Sequence, residues 1–122
     1  MPEYHLTSWC PDSPAFRAAA ADAPAQVARY AALAAELRLC IVPGTLVTAR
    51  PDGTLANVAH FIDASGAVVA SYQKKNLWHP ERPHLSVGEE AHAAFDTQLG
   101  GGCRVGMLVC WDLAFPEAFP LR

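Results

Sequence analysis

Val105-Gly106-Met107-Leu108-Val109-Cys110-Trp111-Asp112-Leu113-Ala114-Phe115-Pro116-Glu117 changes character at its cysteine, from an apolar run to a proline-punctuated turn. Residues 104–109 follow the Gly100-Gly101-Gly102 turn and read as a short buried strand, while Pro116 suits the first turn of a following helix. A thiol fixed where a strand ends and a helix begins is held rigidly. It points into a crevice with backbone N–H groups close by, the arrangement of a nucleophile elbow. Only the thiolate attacks well, and an ordinary cysteine is mostly protonated at neutral pH. Cys110 therefore needs a base or a cation from elsewhere in the chain.

Upstream, the pattern alternates between one helix and several short strands. Asp22 to Arg38 reads as a helix, with Asp22 as cap, Pro24 in the first turn and Val27, Tyr30, Ala31, Ala34 and Leu37 on one face. Leu39 to Val42 and Thr45 to Thr48 read as one strand, broken at Pro43-Gly44. A turn at Pro51-Asp52-Gly53 leads to a strand over Leu55 to Ile62, and a turn at Asp63 to Gly66 leads to another over Ala67 to Tyr72. Short connections of this kind predict an antiparallel meander. From Gln73 to Glu90 the lysines, tryptophan, histidines and prolines predict an ordered, irregular loop, the kind of segment that carries function.

The chain has 122 residues, enough for one domain or part of one, and 52% hydrophobic with 17% charged residues places it among globular proteins. Its formal net charge is −3 and its basic residues are scattered, which argues against nucleic acid or an anionic membrane surface as partner. The start, Met1-Pro2-Glu3-Tyr4-His5-Leu6, has neither a basic nor an apolar leader region, so the reading is a cytosolic protein. Cys10, Cys40, Cys103 and Cys110 have neither zinc-site spacing nor the density of a disulfide scaffold. Cys40 and Cys103, in or beside apolar runs, are expected to be buried.

Three segments, in order, complete the picture. Pro2-Glu3-Tyr4, Tyr72-Gln73-Lys74-Lys75-Asn76-Leu77 and Cys110-Trp111-Asp112-Leu113-Ala114-Phe115-Pro116-Glu117 resemble the glutamate, lysine and cysteine motifs of the nitrilase superfamily of carbon–nitrogen hydrolases. Val42-Pro43-Gly44-Thr45 and Asp52-Gly53-Thr54-Leu55-Ala56-Asn57 also resemble that family's strand and turn pattern, so the likeness runs through essentially the whole chain. The resemblance implies an α/β fold, a four-layer α-β-β-α sandwich. Residues 1–122 would form part of one such domain, with elements missing before Glu3 and after the cysteine turn. It implies Cys110 as nucleophile, Glu3 as base and Lys74 as the cation stabilising the tetrahedral intermediate, assisted by the Trp111 backbone N–H. Lys74 is preferred to Lys75 on its offset from Tyr72; adjacent strand residues point to opposite faces. Glu81 resembles the second glutamate of many members, which helps place substrate and lysine. Asn76 departs from the histidine common at that position, which bears on subfamily. The implied substrate is a small amide or nitrile, with no metal or organic cofactor, and a full-length form that is homo-oligomeric.

Taken singly, Glu3 is an ordinary carboxylate, Lys74 a solvated strand-end lysine, and Glu81 half of a surface ion pair with Arg82. Asp112 and Glu117 read as supports of the turn and the helix start rather than as chemical groups. Three rivals stand beside the hydrolase reading. One is a Cys–His enzyme using His60, His79 or His84, another is a non-catalytic remnant of the family, and the third is an acyltransferase built on the same three residues.

Overall fold

The computed structural model describes residues 1–119; where the sequence reading placed the first turn of a helix at Pro116, a single 3-10 turn forms over Pro116–Ala118. Helix α1 runs over Pro14–Leu37, eight residues further upstream than the sequence reading placed its start. Ser13 is the true cap: its Oγ accepts from the Ala15 N–H at 3.2 Å, and Pro14 takes the first turn, where a missing N–H costs nothing. The alanines at 18–21 propagate the helix through Asp22, leaving Pro24 in its interior. There proline costs about 3 kcal/mol, which the cap, the strong helix formers around it and the burial of Phe16, Ala20, Ala23 and Ala34 offset. Arg38 ends the helix in the left-handed region, φ 51°, and the Leu39 N–H closes on the Ala34 carbonyl at 3.1 Å. Of the expected stripe, Ala34 is buried and Val27, Tyr30 and Ala31 are partly covered, whereas Leu37 is exposed.

The helix packs on an antiparallel sheet of order β1-β2-β3, formed by Thr45–Ala49, Leu55–Ile62 and Val68–Gln73. This is the expected meander. Asp52 Oδ1 tightens the first turn by accepting from the Thr54 N–H at 2.9 Å, and Asp63 Oδ1 does the same for Ser65 at 2.8 Å. Pro43-Gly44 does more than kink the preceding strand: upstream of it only an Ile41–Ile62 bridge remains. The strand expected over 104–109 is also shorter. Only Cys103–Val105 pairs, forming β5 against β4 at Phe95–Thr97, a segment the sequence reading assigned to no element. Cys103 is exposed rather than buried, and Cys40 is half-buried. Among the described residues no helix is long and apolar enough to cross a membrane.

Two apolar clusters clamp the sheet. Tyr4, Phe16, Ala20, Val47, Leu55, Leu77 and Leu85 form the larger, with Trp9 against it, and Ala59, Tyr72 and Val109 form the smaller. Tyr4 thus pins the N-terminal segment to the sheet and helix. Gly44, φ +80°, allows that segment to cross β1 closely, since a Cβ there would lie 2.0 Å from the Pro2 carbonyl oxygen. Gly53, φ +83°, shares the backbone conformation with nothing within 4 Å. Gly44→Ala is therefore expected to lower stability in urea unfolding by about 2 kcal/mol more than Gly53→Ala. Equal losses would show that the crossing is not tight.

Candidate active site

The crossing over Gly44 sets the position of Glu3. The Tyr4 N–H donates to Thr45 Oγ1 at 3.1 Å, and Tyr4 has φ 52°, an uncommon value for a bulky residue that turns the chain just after the glutamate. The Glu3 carboxylate then reaches across to β2, where Asn57 Nδ2 donates to Glu3 Oε1 at 2.7 Å.

Lys74 arrives from the end of β3. Its N–H continues the ladder to the Asn57 carbonyl at 2.9 Å, and alternation puts it on the same side as the buried Tyr72. Its side chain is 1% exposed, and Nζ lies 2.8 Å from Glu3 Oε1 and 2.8 Å from Glu81 Oε2. Lys75 is half-buried, its ammonium 3.4 Å from the Glu90 carbonyl. Burial alone pulls an ammonium toward neutrality. Here hydrogen bonds to Glu3 and Glu81, together with their charges, outweigh it and hold the Lys74 pKa above the ordinary value. The stabilisation from this charge is fully present below the ordinary lysine value of 10.5 and is lost only as pH rises through the higher folded value.

Glu81 is no surface residue paired with Arg82. It is 1% exposed, held by Lys74, by the Trp78 N–H at 2.7 Å and by the Tyr4 hydroxyl. Burial, with the hydrogen bond and charge of Glu81, pushes the Tyr4 phenol well above its usual range, so it remains a donor.

Cys110 opens a 3-10 helix, Cys110–Ala114, directly after the extended Val109. Its φ is 48°, a strained value for a residue with a Cβ, and the residue as a whole is exposed. The fully buried Asp112 fixes this turn. It accepts from the Val109 N–H at 2.9 Å, the Tyr72 hydroxyl at 2.8 Å, the Asn76 N–H at 2.8 Å and Asn76 Nδ2 at 3.0 Å. One carboxylate thus ties the cysteine turn to the end of the lysine strand. Trp111 follows in the first turn of this 3-10 helix, where a backbone N–H has no intrahelical acceptor. The Trp111 ring stands edge-on to His79 at 6.1 Å.

Glu3 and Cys110 line one open cavity of about 390 Å³, with Ala59, Phe61, Val109 and Met107 among its apolar walls. Burial pushes the Cys110 thiol up and the Glu3 charge adds to that effect, while the Lys74 charge pulls back only in part. At neutral pH the thiol is therefore protonated and faces a carboxylate. Of the histidines in the rival reading, His60 Nδ1 pairs with Ser71 Oγ at 2.8 Å, His84 packs on Trp9 and His79 on Trp111, and none hydrogen-bonds Cys110 among the described residues. Among the described residues no group of three or more His, Cys, Asp or Glu side chains is placed to hold a metal ion.

All five residues singled out in the sequence fall in this region, and Glu3, Lys74 and Glu81 form one hydrogen-bonded cluster. Sequence reasoning missed Tyr4 and Asn57. A polar Asn57 at an inward register between Leu55 and Ala59 was the available signal.

Residues 1–119 match the carbon-nitrogen hydrolase family model, and the chain belongs to that family. Over 66 residues it is 40% identical to an (R)-stereoselective amidase of Pseudomonas sp, covering 54% of this chain and 22% of that protein. It is 34% identical over 94 residues to a hydrolase in the agr operon of Staphylococcus aureus, covering 74% of this chain and 35% of the relative. Two structures of the amidase from Nesterenkonia sp. AN1 superpose at TM-scores of 0.81 and 0.81, each 26% identical and covering 96% of this chain and 44% of theirs. One is a cysteine-to-alanine mutant in complex with butyramide. The other, a glutamate-to-leucine mutant, shows covalent addition of the acetamide moiety of fluoroacetamide at the active-site cysteine. The chain spans about a fifth to less than a half of the length of these relatives, and its α/β architecture is that of the nitrilase-type fold.

The four donors on Asp112 give a stability prediction. Asp112→Ala leaves buried donors unpaired and is expected to cost about 3 kcal/mol in urea unfolding. A loss below about 1 kcal/mol would mean the turn does not depend on this carboxylate.

Proposed function

We propose that this chain provides the Glu3-Lys74-Cys110 centre of a hydrolase acting on carbon–nitrogen bonds of small amides through a cysteine thioester. The observation that carries the reading is the buried Lys74 ammonium, 2.8 Å from Glu3, on a carboxylate that shares its cavity with the Cys110 thiol. A raised thiol pKa favours a base-assisted attack over a standing thiolate. Glu3 takes the Sγ proton as Sγ bonds to the carbonyl carbon, and the carbonyl π pair moves to oxygen. Lys74 and the Trp111 N–H stabilise that oxyanion, a contribution of about 3 kcal/mol per donor. The C–N bond then breaks, nitrogen leaving as ammonia or an amine with the proton from Glu3, and the acyl group stays on sulfur. Water gives a proton to Glu3 and attacks the thioester. The C–S bond breaks, and the proton returns to Cys110.

Glu81 touches Lys74 directly and, with Glu3, fixes where its ammonium sits. On this reading Trp111 contributes the backbone N–H next to Cys110. The modest, largely apolar cavity suits a short aliphatic acyl group, as does the butyramide bound by the Nesterenkonia amidase. On this reading residues 1–122 are part of a single carbon–nitrogen hydrolase domain.

Ammonia release from butyramide tests the proposal. Cys110→Ala is expected to abolish it, with Glu3→Gln reducing kcat/KM by about 10³-fold and Lys74→Ala by a similar factor. Wild-type turnover that survives Cys110→Ala would overturn the assignment.

A further inference from the structure

Asn57 holds an atom-level detail that the three-residue centre leaves open. It is fully buried in β2, and both hydrogens of its amide are used, one on Glu3 Oε1 at 2.7 Å and one on the Tyr4 hydroxyl at 2.8 Å. Its Oδ1 is buried without a hydrogen-bond partner among the described residues. A buried acceptor left unpaired is unfavourable, so the amide is retained here for its donors. Turning it over would set Oδ1 against the Glu3 carboxylate. Lys74 Nζ also donates to Glu3 Oε1, at 2.8 Å, which places two donors on that one oxygen and fills its two lone pairs. The bonds that Asn57 and Lys74 donate to the Glu3 carboxylate thus both fall on Oε1, with Oε2 left to the Cys110 thiol.

We propose that Asn57 is a positioning residue for the base: with Lys74 it saturates Glu3 Oε1, fixes the carboxylate plane, and leaves Oε2 as the oxygen that receives the Cys110 proton. The inference rests on the catalytic reading above. Asn57 acts twice, since its backbone carbonyl also accepts from the Lys74 N–H at 2.9 Å. Only the side-chain arm is removed by substitution, so a variant isolates the effect on Glu3 from the placement of the lysine backbone.

The test is the pH profile of Cys110 alkylation by iodoacetamide, followed by peptide mass spectrometry from about pH 5 to 9, across the range where carboxylates and thiols titrate. The exposed Cys10 and Cys103 serve as internal references. Wild-type Cys110 is expected to outpace both near neutrality. Asn57→Leu, close in volume and without the donor, removes a hydrogen bond that stabilises the ionised base. The acidic limb should move up by about one pH unit, with an approximately tenfold lower rate near pH 6. Asn57→Ser, smaller and too short to reach Glu3, should shift the limb in the same direction and stands in if the leucine variant does not fold. Ser71→Ala, whose hydroxyl meets His60 and not this network, should leave the limb where it is. An unchanged limb in the folded Asn57 variant, or an equal shift in Ser71→Ala, overturns the positioning role while the catalytic reading stands. A wild-type Cys110 no faster than Cys103 overturns both.

Discussion

A lysine ammonium 1% exposed to solvent is the constraint around which the rest of this site is organised. An unpaired charge at that depth would cost several kcal/mol or would lose its proton. Glu3 and Glu81 prevent either outcome, and each must then be held in place itself. Glu81 is satisfied by the Trp78 N–H and the Tyr4 hydroxyl, and Glu3 by Asn57. The result is a network that draws on the N-terminal segment, β2, the end of β3 and the irregular loop. Removing one member leaves a charge or a donor stranded, which is why these groups act as a unit.

That network also dictates backbone geometry at some distance from the charges. For Glu3 to reach Lys74, the N-terminal segment must cross β1 where only a glycine at position 44 leaves room. For the thiol to face the same cavity, Cys110 adopts a positive φ, and Asp112 gathers four donors to hold that turn against the lysine strand. Strain at Cys110 is thus balanced by hydrogen bonds a residue or two away. These groups meet where the N-terminal segment, the end of β3 and the cysteine turn come together over the meander and α1.

The chemical groups were legible in the sequence because residue type and order carry them. Glu3, Lys74 and Cys110 stand in ordered motifs, and Lys74 was preferred to Lys75 on its offset from Tyr72 within one of them. Their supporting partners were harder to see. Asn57 meets Glu3 across 54 positions and Asp112 meets Tyr72 across 40, and nothing local in the sequence announces either pair. The start of α1 was misplaced because Pro24 reads as punctuation. Ser13-Pro14 carried the cap signal, and helix-forming alanines with a buried face overrode the interior proline. The apolar run before Cys110 suggested a longer strand than forms, because among the described residues only Cys103–Val105 finds a paired neighbour, in β4.

The most direct measurement of the central claim is peptide mapping by mass spectrometry after brief exposure to fluoroacetamide, comparing the wild-type chain with Glu3→Gln. The account predicts an acetamide adduct on Cys110 that forms ahead of any on Cys10, Cys40 or Cys103 and is strongly slowed in the variant. Labelling spread over the four cysteines according to exposure alone, and indifferent to Glu3, would contradict it.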